Sequence, residues 1–148
     1  LHDALPISAF AALQDGNAVT TENGDIVRPE QVMGPPRPGI VVAYVTDTRP
    51  CDGGRALAEN ADLLYHDATF ADEHHARAVE TGHSTAREAA EVAHEAGAKR
   101  LLLGHISARY DDPAPLEGEA RTRFAESNVA EELRRYSLDP REKEETQS

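Results

Sequence analysis

The sequence predicts an α/β fold. Three observations carry that expectation: short apolar runs with the composition of buried strands, a helical segment with a complete amino-terminal cap between two of them, and polar residues where the runs stop.

Residues 1–12 show no clear hydrophobic period and no Gly-rich or charged linker. Gly16 and Asn23-Gly24 are turn signals, and they bracket a weak short strand at 17–21. Residues 26–33 read as a second strand, ending in the Pro-rich turn at 34–39. Residues 40–46 are β-branched and apolar without alternation, the pattern of a strand covered on both faces, and the run stops at Asp47. A short helix is expected at 56–60, then a brief buried strand at 62–65 ending at His66. Thr85-x-x-Glu88 is a capping box, and Ala86, Ala89, Ala90, Val92, Ala93 and Ala96 supply the small-residue face of the helix it opens. Gly97 fits its carboxy-terminal cap. Residues 100–104 form a third buried strand ending at His105, and 121–136 read as a second long helix anchored by Phe124, Val129 and Leu133. Covering residues 40–45 and 101–103 on both faces is expected to need more chain than is present.

A length of 148 residues suits one domain with a sizeable core, and 39% hydrophobic residues exclude compositional disorder. No apolar run approaches the roughly 18–20 residues that span a bilayer, and residues 1–13 lack the basic start of a secretory signal. Cys51 is the single cysteine, so no intrachain disulfide forms, which fits a reducing, cytoplasmic setting. The net charge of −12 argues against a general nucleic-acid binder, because phosphate contacts come from Lys and Arg. The basic residues are uneven, however: nine of the 15 fall between Arg28 and Arg109.

Functional groups in open α/β layouts gather beyond the carboxyl ends of strands. Asp47, His66 and His105 end three strands, and His83 sits in a Gly82-His83-Ser84-Thr85 loop before a helix. Asp47 offers a hard oxygen able to bridge two cations, and a neutral imidazole at His105 suits zinc and its neighbours. By spacing alone, Asp47 reads equally as a turn residue and His105 as a hydrogen-bonded core histidine. His83 is a proton donor if a carboxylate offsets the helix dipole, with Asp67 the nearest candidate, or a loop histidine packed under the helix. His66 and Asp67 also read as simple strand-end residues. Ser84 lacks a Gly-x-Ser-x-Gly elbow and reads as a loop or capping residue. No role is assigned to His74, His75, His94 or Cys51.

Four ordered blocks carry a family resemblance. They are Tyr44-Val45-Thr46-Asp47-Thr48-Arg49-Pro50, Ala61-Asp62-Leu63-Leu64-Tyr65-His66-Asp67-Ala68-Thr69-Phe70, Gly82-His83-Ser84-Thr85-Ala86, and Leu102-Leu103-Gly104-His105-Ile106-Ser107-x-Arg109-Tyr110. Together they resemble ribonuclease Z, the tRNA 3′-processing endonucleases of the metallo-β-lactamase fold. The match runs from about Leu13 to about Arg135. It implies the carboxy-terminal part of an αββα sandwich at residues 13–138, between an unmatched segment at 1–12 and a polar tail at 139–148.

The resemblance implies roles. Asp47 would bridge two zinc ions and His105 would be the last metal-binding histidine. His83 would give a proton to the leaving 3′ oxygen. His66 begins the catalytic block usually written His-Glu-Ala-Thr, in which Asp67 replaces Glu and would orient His83. Arg49 and Arg109 would contact the substrate, a precursor tRNA, and the enzyme would be a cytoplasmic homodimer that engages no membrane. The family's His-x-His-x-Asp-His motif, which supplies most metal ligands and the water-activating Asp, does not occur in these residues. This polypeptide alone is therefore expected to bind paired zinc poorly and to cleave little. A sister phosphodiesterase or arylsulfatase of the same fold, and a non-catalytic α/β fragment, are the competing expectations.

Overall fold

The computed structural model describes residues 7–34 and 39–138. The polar tail expected at 139–148 and most of the Pro-rich turn at 34–39 fall outside the described residues. The chain divides into two compact units, Leu1–Pro38 and Gly39–Ser148.

The first unit holds helix α1 (Ile7–Gln14), an antiparallel pair made of β1 (Val19–Thr20) and β2 (Ile26–Val27), and the short helix α2 (Pro29–Val32). The strand expected across 26–33 ends at Val27. Pro29 explains the break: it cannot donate to a strand ladder, and its fixed φ suits the first turn of a helix. The Gln31 side chain secures that start by accepting from the Arg28 amide at 2.7 Å.

The second unit is built on β3 (Val42–Val45), α3 (Asp52–Ala58), β4 (Leu63–Asp67), α4 (His75–Thr81), α5 (Ala86–Glu95), β5 (Leu101–Gly104), α6 (Ala114–Arg121) and β6 (Ser127–Val129). The strands form a parallel sheet in the order β3-β4-β5-β6, with Val45 opposite His66 and His66 opposite Leu103. Each strand pairs with the one before it in the chain, so right-handed crossovers carry the helices to one face. The core confirms the arrangement. Ala58 of α3, Ala89, Ala90, Val92 and Ala93 of α5, and Leu116 and Ala120 of α6 share one cluster with Ala43, Val45, Leu64, Leu101 and Leu103. Alanines let the helices sit close to the sheet.

All four residues of β5 are buried, as expected for a central strand. The two-sided cover expected for β3 is not found: Val42 is 56% and Tyr44 67% exposed, while Ala43 and Val45 on the helix side are buried. The capping box of α5 is complete, with Thr85 Oγ1 accepting from the Glu88 amide and Glu88 Oε2 accepting from the Thr85 amide at 2.8 Å. Gly97 follows the helix at φ 66°, a left-handed turn that suits glycine. Helix α3 starts at Asp52 rather than residue 56, because Cys51 Sγ caps it by accepting from the Gly54 amide.

The helix expected across 121–136 is absent. Helix α6 ends at Arg121, where that helix was expected to begin, and Ser127–Val129 is a strand. Pairing with β5 decides this, overriding the local pattern. Glu117 Oε2 accepts from the Val129 amide at 2.8 Å, and Arg121 donates to the Ser127 carbonyl at 2.9 Å, tying α6 to the strand. Among the described residues, no helix is long and apolar enough to cross a membrane.

Candidate metal centre

Four side chains meet at the carboxyl edge of the sheet: Asp47, Asp67, His83 and His105 each offer a ligand-type atom within 4.8 Å of the others. Asp47 follows β3 and His105 follows β5, and both adopt left-handed backbone, at φ 54° and 58°. That conformation is uncommon outside glycine. It turns the chain at the strand end, leaving each side chain at the sheet's edge. Asp67 is the last residue of β4. His83 follows Gly82, whose φ of 80° closes α4 and reverses the chain.

Asp67 organises the group. It is fully buried. Its Oδ1 accepts from the Thr69 amide at 3.0 Å, the Thr69 hydroxyl at 2.9 Å and the Ser84 amide at 3.2 Å. Its Oδ2 accepts from the Thr48 amide at 3.1 Å and from His83 Nδ1 at 3.0 Å. His105 Nδ1 lies 3.3 Å from the same Oδ2 and 3.0 Å from Thr69 Oγ1. Burial alone would push this carboxyl up; the His83 bond, the two amides and the Thr69 hydroxyl outweigh it and hold the carboxyl below its ordinary value.

These partners assign the imidazole protons. Both Nδ1 atoms face Asp67, so each Nδ1 carries the proton and each Nε2 is left with a lone pair. A ligating histidine commonly donates its other N–H to a carboxylate in this way. The donor set therefore fits a zinc-like cation, but not with all four residues. A carboxylate has about four lone-pair positions, and Asp67 already accepts five hydrogen bonds. It has no capacity left for a metal. Asp47, with its side chain 73% exposed, His105, at 44%, and His83, at 19%, are the remaining donors.

The remaining candidates are dispersed. Arg49 is exposed, two residues past Asp47. Arg109 places its guanidinium 5.0 Å over the Phe70 ring, and Phe70 meets His83 edge-on at 6.2 Å, so Arg109 borders the cluster. His66 does not join it. By strand alternation its ring points into the helix-covered core beside Leu64, opposite to Asp67. It is fully buried, with Nδ1 donating to the Asp67 carbonyl at 2.8 Å. Burial pushes its imidazole below the ordinary value, against the opposing pull of that carbonyl. Reasoning from the sequence missed Thr48, Thr69 and Ser84 as supports of Asp67. The threonine of the His66-Asp67-Ala68-Thr69 block was the signal available for one of them. The Ser84 hydroxyl, read as a loop residue, donates to the Thr48 carbonyl at 2.7 Å.

A family model described as beta-lactamase superfamily domain matches residues 3–106, and the chain belongs to that superfamily. Its likeness within the superfamily is to ribonuclease Z. It is 76% identical over 136 residues to the ribonuclease Z of Salinibacter ruber, covering 92% of this chain and 42% of that protein. It is 57% identical over 116 residues to that of Halorubrum lacusprofundi, covering 78% of this chain and 37% of that protein. The crystal structure of human tRNase Z, short form, matches with a TM-score of 0.55 at 33% identity, over 77% of this chain and 36% of that one. The chain thus spans about two-fifths of the length of the curated relatives it matches. The parallel sheet and its helices are part of a metallo-β-lactamase fold, as the four sequence blocks implied.

Proposed function

We propose that this chain supplies part of the active site of a zinc-dependent endoribonuclease that removes the 3′ trailer from precursor tRNA. The observation that carries the proposal is the Asp67-centred cluster, which brings Asp47, His83 and His105 together around one buried carboxylate. Asp47 and His105 would hold zinc. When bound, zinc supplies an activated water and neutralises charge on the scissile phosphate. Two protein donors do not complete a four-coordinate site, so the reading requires further ligands beyond these two.

The chain's own residues do the rest. Asp67 fixes the His83 ring through Nδ1, and the ring, once it takes up a proton at Nε2, donates it from there to the leaving 3′ oxygen. The Asp in place of the family's Glu still reaches His83, at 3.0 Å. The products are a tRNA 3′-hydroxyl and a trailer 5′-phosphate. Arg109, braced on Phe70, would meet backbone phosphate, and Arg49 would offer a second cation on the Asp47 loop. His66 acts behind the site, bonding the backbone of Asp67 without touching substrate. A homodimeric, cytoplasmic enzyme accompanies this reading on the strength of the resemblance.

A chimera tests it. Residues 13–138 replace the matched stretch of the Salinibacter ruber ribonuclease Z, and a precursor tRNA with a 3′ trailer is the substrate. The chimera should release the trailer, Asp47→Ala should abolish release together with zinc content, and His83→Ala should slow it by about 10²-fold or more while keeping zinc. A folded, zinc-loaded chimera that leaves the trailer intact overturns the proposal.

A further inference from the structure

Ser84 follows His83, is fully buried, and engages a different neighbour with each of its polar groups. Its amide donates to Asp67 Oδ1 at 3.2 Å, and its carbonyl accepts from the Phe70 amide at 3.3 Å. Those bonds, with the parallel bridge between Phe70 and Thr85, fasten the His83 loop to the chain just past β4. The His83 amide adds a bond to the Ala78 carbonyl at 2.9 Å. The Ser84 hydroxyl reaches a separate loop. It donates to the Thr48 carbonyl at 2.7 Å, in the segment that follows β3. A buried hydroxyl left without an acceptor is costly, so that carbonyl sets its direction. Thr48 is thereby held on both sides, since its amide donates to Asp67 Oδ2 at 3.1 Å. The residue before it, Asp47, has left-handed backbone at φ 54°. In a residue with a side chain, such a turn persists where its surroundings hold it. The result is a separation of 3.7 Å between Asp47 Oδ1 and His83 Nδ1, two groups carried by different crossovers of the sheet.

We propose that Ser84 is a positioning residue for the reaction: its hydroxyl pins the Asp47 turn against the His83 loop and so sets the spacing between the metal-binding carboxylate and the proton donor. Asp67 orients the imidazole rings, and Ser84 fixes the register of the two loops. The spacing matters because a misplacement of about 1 Å between reacting groups can cost about 10²-fold in rate. This inference rests on the reading of Asp47 as a metal ligand and His83 as the proton donor.

Three substitutions test it. Ser84→Ala removes the hydroxyl. Ser84→Cys fills the same space with a thiol, a weak donor, and Ser84→Thr keeps the hydroxyl. Two readouts are taken: amide hydrogen exchange in the 148-residue chain, and kcat and KM for trailer release by the zinc-loaded chimera described above. In Ser84→Ala the Thr48 amide should exchange about tenfold faster, the scale of one net hydrogen bond. The Leu64 amide, which donates to the Arg100 carbonyl at 2.9 Å in the middle of the sheet, should keep its rate. A merely structural role would speed both. In the chimera, Ser84→Ala and Ser84→Cys should each lower kcat about tenfold or more with KM little changed, and Ser84→Thr should restore it. A wild-type kcat in Ser84→Ala, while Asp47→Ala stays inert, overturns the inference and leaves the proposed function standing. A rate restored by Ser84→Cys assigns the effect to packing and also overturns it. A folded, zinc-loaded chimera with Ser84 intact that leaves the trailer uncut overturns the proposed function, and the inference falls with it.

Discussion

Asp67 Oδ2 lies 3.0 Å from Nδ1 of His83 and 3.3 Å from Nδ1 of His105, so one fully buried carboxylate faces both imidazoles. The other partners of that carboxylate are two amides from its own block and its Ser84 neighbour, the Thr48 amide and a hydroxyl, all drawn from loops at one edge of the sheet. The same group thus holds a loop network together and orients the His83 ring.

Asp67→Asn should be costly for that reason. The amide keeps one acceptor oxygen and turns an N–H₂ toward donors that previously met oxygen. Each buried donor left unpaired costs about 1–3 kcal/mol, so a loss of about 3 kcal/mol or more is expected. Urea denaturation of the two proteins at pH 7 measures it, and a loss below about 1 kcal/mol would show that the network is dispensable.

Acid should weaken the fold in two stages. The buried His66 imidazole has a folded pKa below its ordinary 6.5. Below pH 6.5 the unfolded chain therefore binds a proton that the folded chain refuses, and stability falls as pH drops toward the folded value. Asp67, held below its ordinary 3.8, contributes stability that is fully present above that pH and is lost as pH falls through the folded value. Denaturation midpoints measured from pH 8 to pH 3 should show both declines. In His66→Gln the upper one should flatten; a profile identical to wild type would refute the assignment.

Metal analysis of the 148-residue chain at micromolar zinc should find fewer than two ions per chain. Asp67 is saturated with hydrogen bonds, and with His83 reserved for proton transfer in the proposed function, Asp47 and His105 are the open donors. Asp47→Ala should remove what binding there is, while His83→Ala should change it little. Two tightly held ions in the wild-type chain would contradict the ligand count.

Thr85→Ala removes a hydroxyl that accepts from the Glu88 amide at 3.2 Å at the start of α5. The expected loss is about 1 kcal/mol, read as a shift in urea midpoint without a change in slope. Because the cap residue Thr85 lies two residues after His83, the same variant should broaden the His83 imidazole signal.

Much of this was legible in the chain itself, where local chemistry decides the outcome. The Thr85–Glu88 capping box needs only four consecutive residues, and β5 is apolar at Leu101, Leu102 and Leu103 because it is central. Other elements depend on partners far away in sequence. Ser127–Val129 has no strand pattern of its own and becomes β6 because β5 offers it a ladder. Helices α1 and α4 lack the amphipathic period that announces a helix, and residues 121–136 imitate one because Phe124, Val129 and Leu133 keep a helical spacing. The strand-end positions of Asp47 and His105 marked the site, and the resemblance gave His83 its task. The saturation of Asp67 could not be read, since Thr48 and Ser84 reach it from 19 and 17 residues away.

The order of the sheet also sets a timetable. Each strand docks beside the one made just before it, so contacts stay short in sequence and the sheet can grow unit by unit during synthesis. Asp47 arrives after the first strand of the sheet, Asp67 with the second, His83 within the next crossover and His105 after the third. The centre is therefore assembled from successive instalments and completed by the docking of β5, so zinc capture would report that late folding event rather than drive the early ones.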